Sequence, residues 1–271
     1  MIFLEKCLVC DSHDYSVVQK QTGPDTYLEL LLQDHEALER FWIRCLGCGL
    51  IRQKSILDTA ETKKLYLLFR DRTIRPENPD EYFDRISSLP ADESENYQRC
   101  VWLNNEIPRA GKILDIGCGG GVFLHQFKGF FGQGWEVTGI EPTVEYAELA
   151  ARRLSAKIES GMFDEYSFVG NSFDLITINH VLEHVIDPIE FLHLAQKLLK
   201  PNGMIFIETP EQSDFEFLPE THDRFSLQHN WYFRLFDLEC IGSQVGLKPV
   251  KGENFISLRT RNNARLLLKK Q

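Results

Sequence analysis

From residue 111 to the carboxyl terminus, short apolar runs alternate with longer stretches whose apolar residues recur every three or four positions. Short runs bounded by glycine or proline read as buried strands, and the longer period reads as amphipathic helix. Strands are expected at Lys112–Ile116, Glu136–Ile140, Lys157–Ser160, Phe173–Asn179 and Gly203–Thr209. Helices are expected at Val122–Phe131, Thr143–Leu154, Pro188–Leu199 and Phe233–Val245. Gly246–Val250 and Asn254–Arg259 would close the chain as an antiparallel hairpin. Pro188 suits a first helical turn, and Gly203 follows the helix end at Leu198–Lys200, where a left-handed residue is expected. Strand and helix alternating in this way build βαβ units and a parallel sheet.

The first 110 residues are patterned differently. Residues 1–54 carry two Cys-x-x-Cys pairs separated by a polar stretch with a helix near Thr26–Arg40. Residues 55–110 are charged and interrupted by Pro76, Pro79, Pro90 and Pro108, with helical spacing at Thr59–Phe69 and Glu93–Glu106. The 271 residues thus divide into an amino-terminal metal-binding module (1–54), a helical linker or lid (55–110) and an α/β domain (111–271).

Composition narrows the partners. Hydrophobic residues make up 43% and charged residues 26%, enough to bury a sizeable core. The net charge of −10 disfavours nucleic acid and anionic membranes, which attract positive fields. The start, Met1-Ile-Phe-Leu-Glu-Lys-Cys7, lacks a signal-peptide apolar stretch, and no run reaches the roughly 18 apolar residues of a membrane span. The expected location is cytoplasmic. In that reducing setting the seven cysteines favour metal ligation over disulfides.

Asp115-Ile-Gly117-Cys-Gly119-Gly-Gly121 follows an apolar strand and opens a helix. Glycine permits a tight turn and close approach of a ligand to the main chain, and the helix offers free N–H groups. Glu141-Pro142 ends the next strand, where an acidic side chain meets ribose hydroxyls in doubly wound folds. Dinucleotide enzymes use a related loop, but the third glycine of their pattern would fall at Val122. Asp115 could face an ammonium group and would repel a pyrophosphate.

These residues resemble motif I of the class I S-adenosylmethionine-dependent methyltransferases. The resemblance continues through Ser172-Phe-Asp174-Leu-Ile, Asn179-His180-Val-Leu-Glu183-His184-Val-Ile-Asp187-Pro188 and Leu199-Lys-Pro201-Asn-Gly203, and covers roughly residues 97–260. It implies a seven-stranded Rossmann-like sheet with S-adenosylmethionine as cofactor. It also implies that Asp115, Gly117, Gly119 and Gly121 meet the methionine part and that Glu141, next to Pro142, meets the ribose. Met162-Phe163-Asp164 would lie at the adenine, Asn179 would close the site with its backbone, and His180 would shape the pocket.

Cys7-Leu-Val-Cys10 and Cys45-Leu-Gly-Cys48, 34 residues apart, can wrap a tetrahedral zinc ion as two knuckles. Four thiolates would close the site and make the zinc structural. A redox dithiol would need a βαβ setting that residues 1–54 lack, and unrelated buried cysteines are the remaining alternative. Cys100, Cys118 and Cys240 stand alone, as small core or loop residues. A zinc module ahead of such a core resembles a methyltransferase subgroup acting on nucleotide-linked deoxysugars, which implies a sugar-nucleotide acceptor. That subgroup's further carboxy-terminal domain has no counterpart here.

Methyl acceptance by a hydroxyl, or by a carbon beside a carbonyl, calls for a general base, and histidine is the default. The stretch Glu208–Phe233 follows the fifth strand and holds His222, Asp223, His229, Trp231 and Tyr232. His229-Asn-Trp-Tyr232-Phe233 resembles the subgroup's His-x-x-Tyr-Phe segment, which makes His229 the candidate base and His184 the second candidate. Where the C-methylating members read Tyr-His-Glu-His, this chain has Ser226, Leu227, Gln228 and His229, so O-methylation is expected at least equally. The alternatives are that His229 caps the next helix, and that Trp231, Tyr232 and Phe233 cover the core instead of stacking on a sugar. Other functions consistent with the residues are a protein or tRNA methyltransferase, a non-catalytic binding protein on the same fold and, more remotely, a nicotinamide oxidoreductase. The oligomeric state leaves no mark in the sequence.

Overall fold

The computed structural model describes residues 1–22, 25, 27, 39–68, 76–219 and 222–271. The helix expected near Thr26–Arg40 falls outside these residues apart from Tyr27, and Arg40 itself opens a strand.

In chain order the amino-terminal strands are β1 (Ile2–Phe3), β2 (Tyr15–Gln21), β3 (Arg40–Cys45), β4 (Ile51–Gln53) and β5 (Ser55–Ile56). Three helices follow: α1 (Thr59–Leu68), α2 (Pro79–Ser87) and α3 (Glu95–Leu103). The α/β part comprises β6 (Gly111–Ile116), α4 (Val122–Phe131), β7 (Trp135–Glu141), α5 (Val144–Leu154), β8 (Lys157–Ser160), β9 (Phe173–Asn179), α6 (Pro188–Leu198) and β10 (Leu199–Pro210). It ends with β11 (Trp231–Tyr232), α7 (Leu235–Gln244), β12 (Leu247–Ile256) and β13 (Asn262–Lys270).

Seven strands form one sheet in the order β12-β13-β10-β9-β6-β7-β8. The five strands β8, β7, β6, β9 and β10 run parallel, and β13 and β12 are antiparallel. Alternate residues of each strand supply the two cores. Ile113, Leu175, Phe206 and Leu267 meet α3, α4 and α5 through Trp102, Phe127 and Leu154. Leu114, Ile176, Ile205 and Leu268 meet α6 and α7 through Leu192 and Ile241. Helices on both faces explain why these runs are apolar at consecutive positions.

Three expectations change. The segments Gly246–Val250 and Asn254–Arg259 do not pair with each other: Leu247–Val250 of the first and Asn254–Ile256 of the second lie on the single strand β12. Their partner is β13, and a register shift at Pro249/Lys251 absorbs the proline. The left-handed position after α6 is Asn202 (φ 65°), not Gly203. Gly203 is required by space instead, because a Cβ there would lie 3.0 Å from the carbonyl oxygens of Lys200 and Phe173. Helix α2 went unread because Pro79 is not a breaker there. It occupies the first turn, and Asn78 caps it by accepting from Asp80 N at 2.9 Å.

The cysteine-bearing segment packs on the α6/α7 face, with Cys7, Cys45 and Leu50 joining the core that contains Trp231 and Phe233. Its sheet, β11-β4-β3-β2, takes one strand from residues 231–232 of the α/β part. The two knuckles share one backbone pattern. Cys7 O accepts from Asp11 N and Cys45 O from Gly49 N, both at 2.8 Å, and Cys7 N donates to Ser12 O as Cys45 N does to Leu50 O, both at 2.9 Å. Asp11 and Gly49 both take the left-handed conformation that closes such a turn.

Among the described residues, no helix is long and apolar enough to cross a membrane. Leu267→Ala removes a fully buried side chain beside Phe206 and is expected to cost about 2–5 kcal/mol, read from the denaturant midpoint at unchanged m-value.

Candidate cofactor and acceptor site

The carboxyl ends of β6, β7, β9 and β10 lie side by side, and the glycine loop crosses above them. Gly117, Gly119 and Gly121 have φ of 75°, 54° and 81°. A Cβ on Gly117 would fall 2.5 Å from Val181 Cγ2, so the loop is packed as well as turned. Gly121 caps α4 without a side-chain acceptor, leaving the first-turn N–H groups of that helix available.

Asp115 is 2% exposed and accepts from the Thr177 hydroxyl at 2.6 Å and from Asn179 Nδ2 at 3.3 Å. Burial pushes its pKa up to about 7, against the pull of those two hydrogen bonds. Glu141 takes Gly119 N at 2.9 Å on one oxygen and Thr143 N at 3.1 Å on the other, so it ties the glycine loop to the start of α5. Pro142 follows at the strand end. Met162 is exposed, Phe163 packs on Phe191 at 5.2 Å between ring centroids, and Asp164 closes its own turn by accepting from Tyr166 N and the Ser167 hydroxyl.

A chain of charges continues from there. Arg99 of α3 reaches Glu208 at the end of β10, with Nε 2.9 Å from Oε1. His180, at φ 52°, has Nδ1 3.4 Å from Glu183 and Nε2 3.4 Å from Glu208. Burial alone would lower the His180 pKa, but the two carboxylates outweigh it and raise it. Burial would likewise raise Glu183 and Glu208; His184 and His180 hold Glu183 at about 2, and Arg99 and His180 hold Glu208 at about 2. Two buried acceptors in this group, Asn179 Oδ1 and Glu208 Oε2, lack a hydrogen-bond partner among the described residues.

Next to Glu183 lie the two candidate bases. His184 Nδ1 is 2.9 Å from Gln228 O, and His229 Nδ1 is 3.1 Å from Arg224 O. A carbonyl only accepts, so each Nδ1 carries a proton, and a ring in its neutral form offers an Nε2 lone pair. The rings stack at 4.9 Å and 24°. Burial lowers the His229 pKa to about 4, and the neighbouring His184 adds to the effect. Glu183, His184 and His229 each bring a metal-capable atom within 4.8 Å of the others. The nearly parallel ring planes keep the two lone pairs from converging on one ion, so the geometry suits proton traffic.

One of the two alternatives is removed and the other holds. His229 does not cap α7, which Arg234 and Asp237 cap reciprocally. Trp231, Tyr232 and Phe233 are at most 2% exposed, so they fill the core and offer no face to a sugar.

In the amino-terminal segment, Cys7 Sγ and Cys48 Sγ are 3.5 Å apart, as are those of Cys10 and Cys45, and all four sulfurs fall within 4.8 Å. A tetrahedral ion with bonds of about 2.3 Å needs sulfurs about 3.8 Å apart. The donor set fits zinc. Cys100 and Cys118 are buried singly.

Sequence reasoning missed Arg99, Glu208 and Gln53. The signal was present for the first two: a charge directly before the apolar stretch Cys100-Val-Trp-Leu103 and another directly after Met204-Ile-Phe-Ile207.

A family profile described as a methyltransferase domain matches residues 77–251, more than half of the chain. The seven-strand order and the loop after β6 agree with it. The chain belongs to the class I S-adenosylmethionine-dependent methyltransferases. It is 32% identical over 147 residues to a ubiquinone biosynthesis O-methyltransferase of Pseudomonas aeruginosa, covering 51% of this chain and 61% of the relative. A Histophilus somni enzyme of the same name is 39% identical over 111 residues, covering 36% and 44%. The chain thus spans about three fifths or less of the length of these curated relatives. In fold it is similar to the 1,6-didemethyltoxoflavin-N1-methyltransferase of Burkholderia thailandensis, solved with S-adenosylhomocysteine. The TM-score is 0.55 at 16% identity, over 83% of this chain and 97% of that one. The relatives compared carry ubiquinone names and not deoxysugar names, so they lend no support to the subgroup expected from the amino-terminal motif.

Gly119→Val puts a β-branched residue at φ 54° and crowds the main chain where a ligand would approach. Calorimetry is expected to show loss of S-adenosylmethionine binding while the circular dichroism spectrum keeps its native form.

Proposed function

We propose that this methyltransferase methylates a hydroxyl oxygen of a small acceptor, with His229 as the general base. When bound, S-adenosylmethionine supplies a methyl group on cationic sulfur. In this reading Asp115, Gly117, Gly119 and Gly121 surround its methionine part, and Glu141 with Pro142 holds the ribose. Met162, Phe163 and Asp164 border the adenine, and Asn179 and His180 close the pocket. The buried acceptors Asn179 Oδ1 and Glu208 Oε2 favour a cationic ligand there.

The observation that carries the proposal is the state of His229. Its Nδ1 proton is held on Arg224 O, and burial keeps the ring neutral, so Nε2 is free to accept. A base this weak cannot draw a proton from carbon. It can take one from a hydroxyl whose acidity climbs as its oxygen bonds to the incoming methyl. The same property favours O-methylation over C-methylation. His184, facing ionised Glu183 at 3.7 Å, stands next in line for the proton.

For the acceptor, Ser226 Oγ and Gln228 Oε1, in the loop that carries His229, are buried without partners among the described residues, which favours a hydroxyl-rich molecule such as a nucleotide-linked sugar. The names of the relatives favour a phenol. We further assign a structural zinc to Cys7, Cys10, Cys45 and Cys48.

Incubation with S-adenosylmethionine and a panel of nucleotide sugars and dihydroxybenzoates should give a mass gain of one CH2 unit on oxygen. With that acceptor, His229→Ala is expected to lose about 10²–10⁴-fold in turnover. Because protonation disables the base, kcat/KM should stay flat down to about pH 5 and fall towards about 4. Full turnover by His229→Ala, or an acid limb at an ordinary histidine pKa, refutes the assignment. Metal analysis should find one zinc per chain, lost in Cys10→Ser together with thermal stability.

A further inference from the structure

The amino-terminal segment does more than cover one face of the α/β part: it holds the backbone on which His229 stands. Gln53, at the end of β4 and fully buried, donates from Nε2 to the carbonyls of Leu227 and His229, each at 2.9 Å. Its backbone N donates to Asn230 O at 2.9 Å. Trp231 and Tyr232 then pair with Arg52 and Ile51 of the same strand. One residue upstream of this stretch's middle, Leu227 N donates to Asp25 at 2.9 Å. The loop is therefore fastened by one short strand on both sides of the histidine.

The Gln53 side chain is costly where it lies. Its Oε1 is buried without a partner among the described residues, so an apolar side chain of similar length would fill the space with no orphaned oxygen. What such a side chain could not do is bridge two carbonyls two residues apart.

We propose that Gln53 is a positioning residue for the acceptor side of this methyltransferase, fixing the ring of His229, and that the cysteine knuckle leading into β4 serves that loop and not the cofactor pocket. The knuckle and the loop are linked directly: Arg234 donates to Cys48 O, and Gln212 bridges Gly49 O and Ile51 N at 3.1 Å each. On the cofactor side, Gly119 N donates to Glu141 at the end of β7, and Asp115 of β6 accepts from Thr177 and Asn179 of β9. The catalytic meaning of the proposal rests on His229 being the base.

The titratable groups around His229 are His184 and Glu183 from the loop after β9, and Asp223, Arg224 and Tyr232 from its own loop. Gln53 carries no charge. A change in His229 on replacing it must come through geometry and access of water.

The test is Gln53→Met in the intact 271-residue, zinc-loaded chain, read by nitrogen NMR of labelled histidine, with His229→Gln to assign the signal. In the parent, His229 should remain a single Nδ1–H tautomer to about pH 5. In Gln53→Met it should titrate nearer the ordinary value of about 6.5 and lose that single tautomer. S-adenosylmethionine affinity should stay within about twofold by calorimetry, and turnover of the acceptor found in the panel should fall about 10- to 100-fold. Gln53→Asn, which keeps the amide but reaches one carbonyl at most, should fall between them and covers the case in which Gln53→Met does not fold. An unchanged His229 titration in the folded variants, or an equal loss of cofactor affinity, overturns the proposal. Full activity of His229→Ala overturns the base reading alone, since the NMR result does not depend on turnover.

Discussion

Four carboxylates, Asp115, Glu141, Glu183 and Glu208, are buried to 4% exposure or less where β6, β7, β9 and β10 end. Like charges gathered in a site of low polarity repel, and each costs desolvation. Every one is compensated differently. Asp115 shifts its pKa up and takes two side-chain donors, and Glu141 takes two backbone N–H groups from the loops it joins. Glu208 takes Arg99 from a helix outside the sheet unit, and Glu183 shares His180 with it. The glycine turn, the left-handed backbone at His180 and the placement of α3 all follow from this requirement. So does the sign of the ligand: the edge has surplus acceptors, which suits a sulfonium and an ammonium and opposes a pyrophosphate.

The periodic part of this fold was legible because burial on both faces leaves a strong mark. Ile113 to Ile116 and Phe173 to Ile178 are apolar at nearly every position since α3–α5 and α6–α7 cover opposite sides. The carboxyl-terminal strands were misplaced for a physical reason. Most residues of β12 beyond Leu247 alternate between exposed and partly exposed, so Lys248 to Glu253 carry little apolar signal, while Pro249 simulates a break that a bulge absorbs. Helix α2 was hidden by proline for the opposite reason, since a first-turn proline favours a helix.

Site residues divided in the same way. The glycine loop and Glu141 are contiguous with strands and could be placed by counting. Arg99 and Gln53 act across 109 and 176 residues of chain, on Glu208 and His229, and no local pattern reports such pairs. The cysteine pairs were legible as a metal site, yet their attachment was not. Nothing in Ile51-Arg-Gln53 announces that its strand partner is Trp231-Tyr232.

That attachment bears on how the chain divides. Residues 1–54 hold a complete set of thiol ligands, but their sheet is completed by β11, and their core is shared with Trp231 and Phe233. A boundary drawn at residue 54 by composition therefore cuts through a hydrogen-bonded sheet. The cofactor edge is held by strands of the large sheet and Arg99, whereas the acceptor loop is held both by that edge, where Asn230 donates to Glu183 O and His184 O and Trp231 to Val185 O, and by β4. The acceptor loop thus has a support of its own, from outside the large sheet, in addition to its contact with the sheet edge. That added support explains why a family profile that begins at residue 77 reports little of how the acceptor loop is held. It also explains why the chemistry at His229 must be read from that ring's own surroundings: a neutral imidazole, its proton fixed on a carbonyl, stacked on a second histidine and supported from a separate segment of the chain.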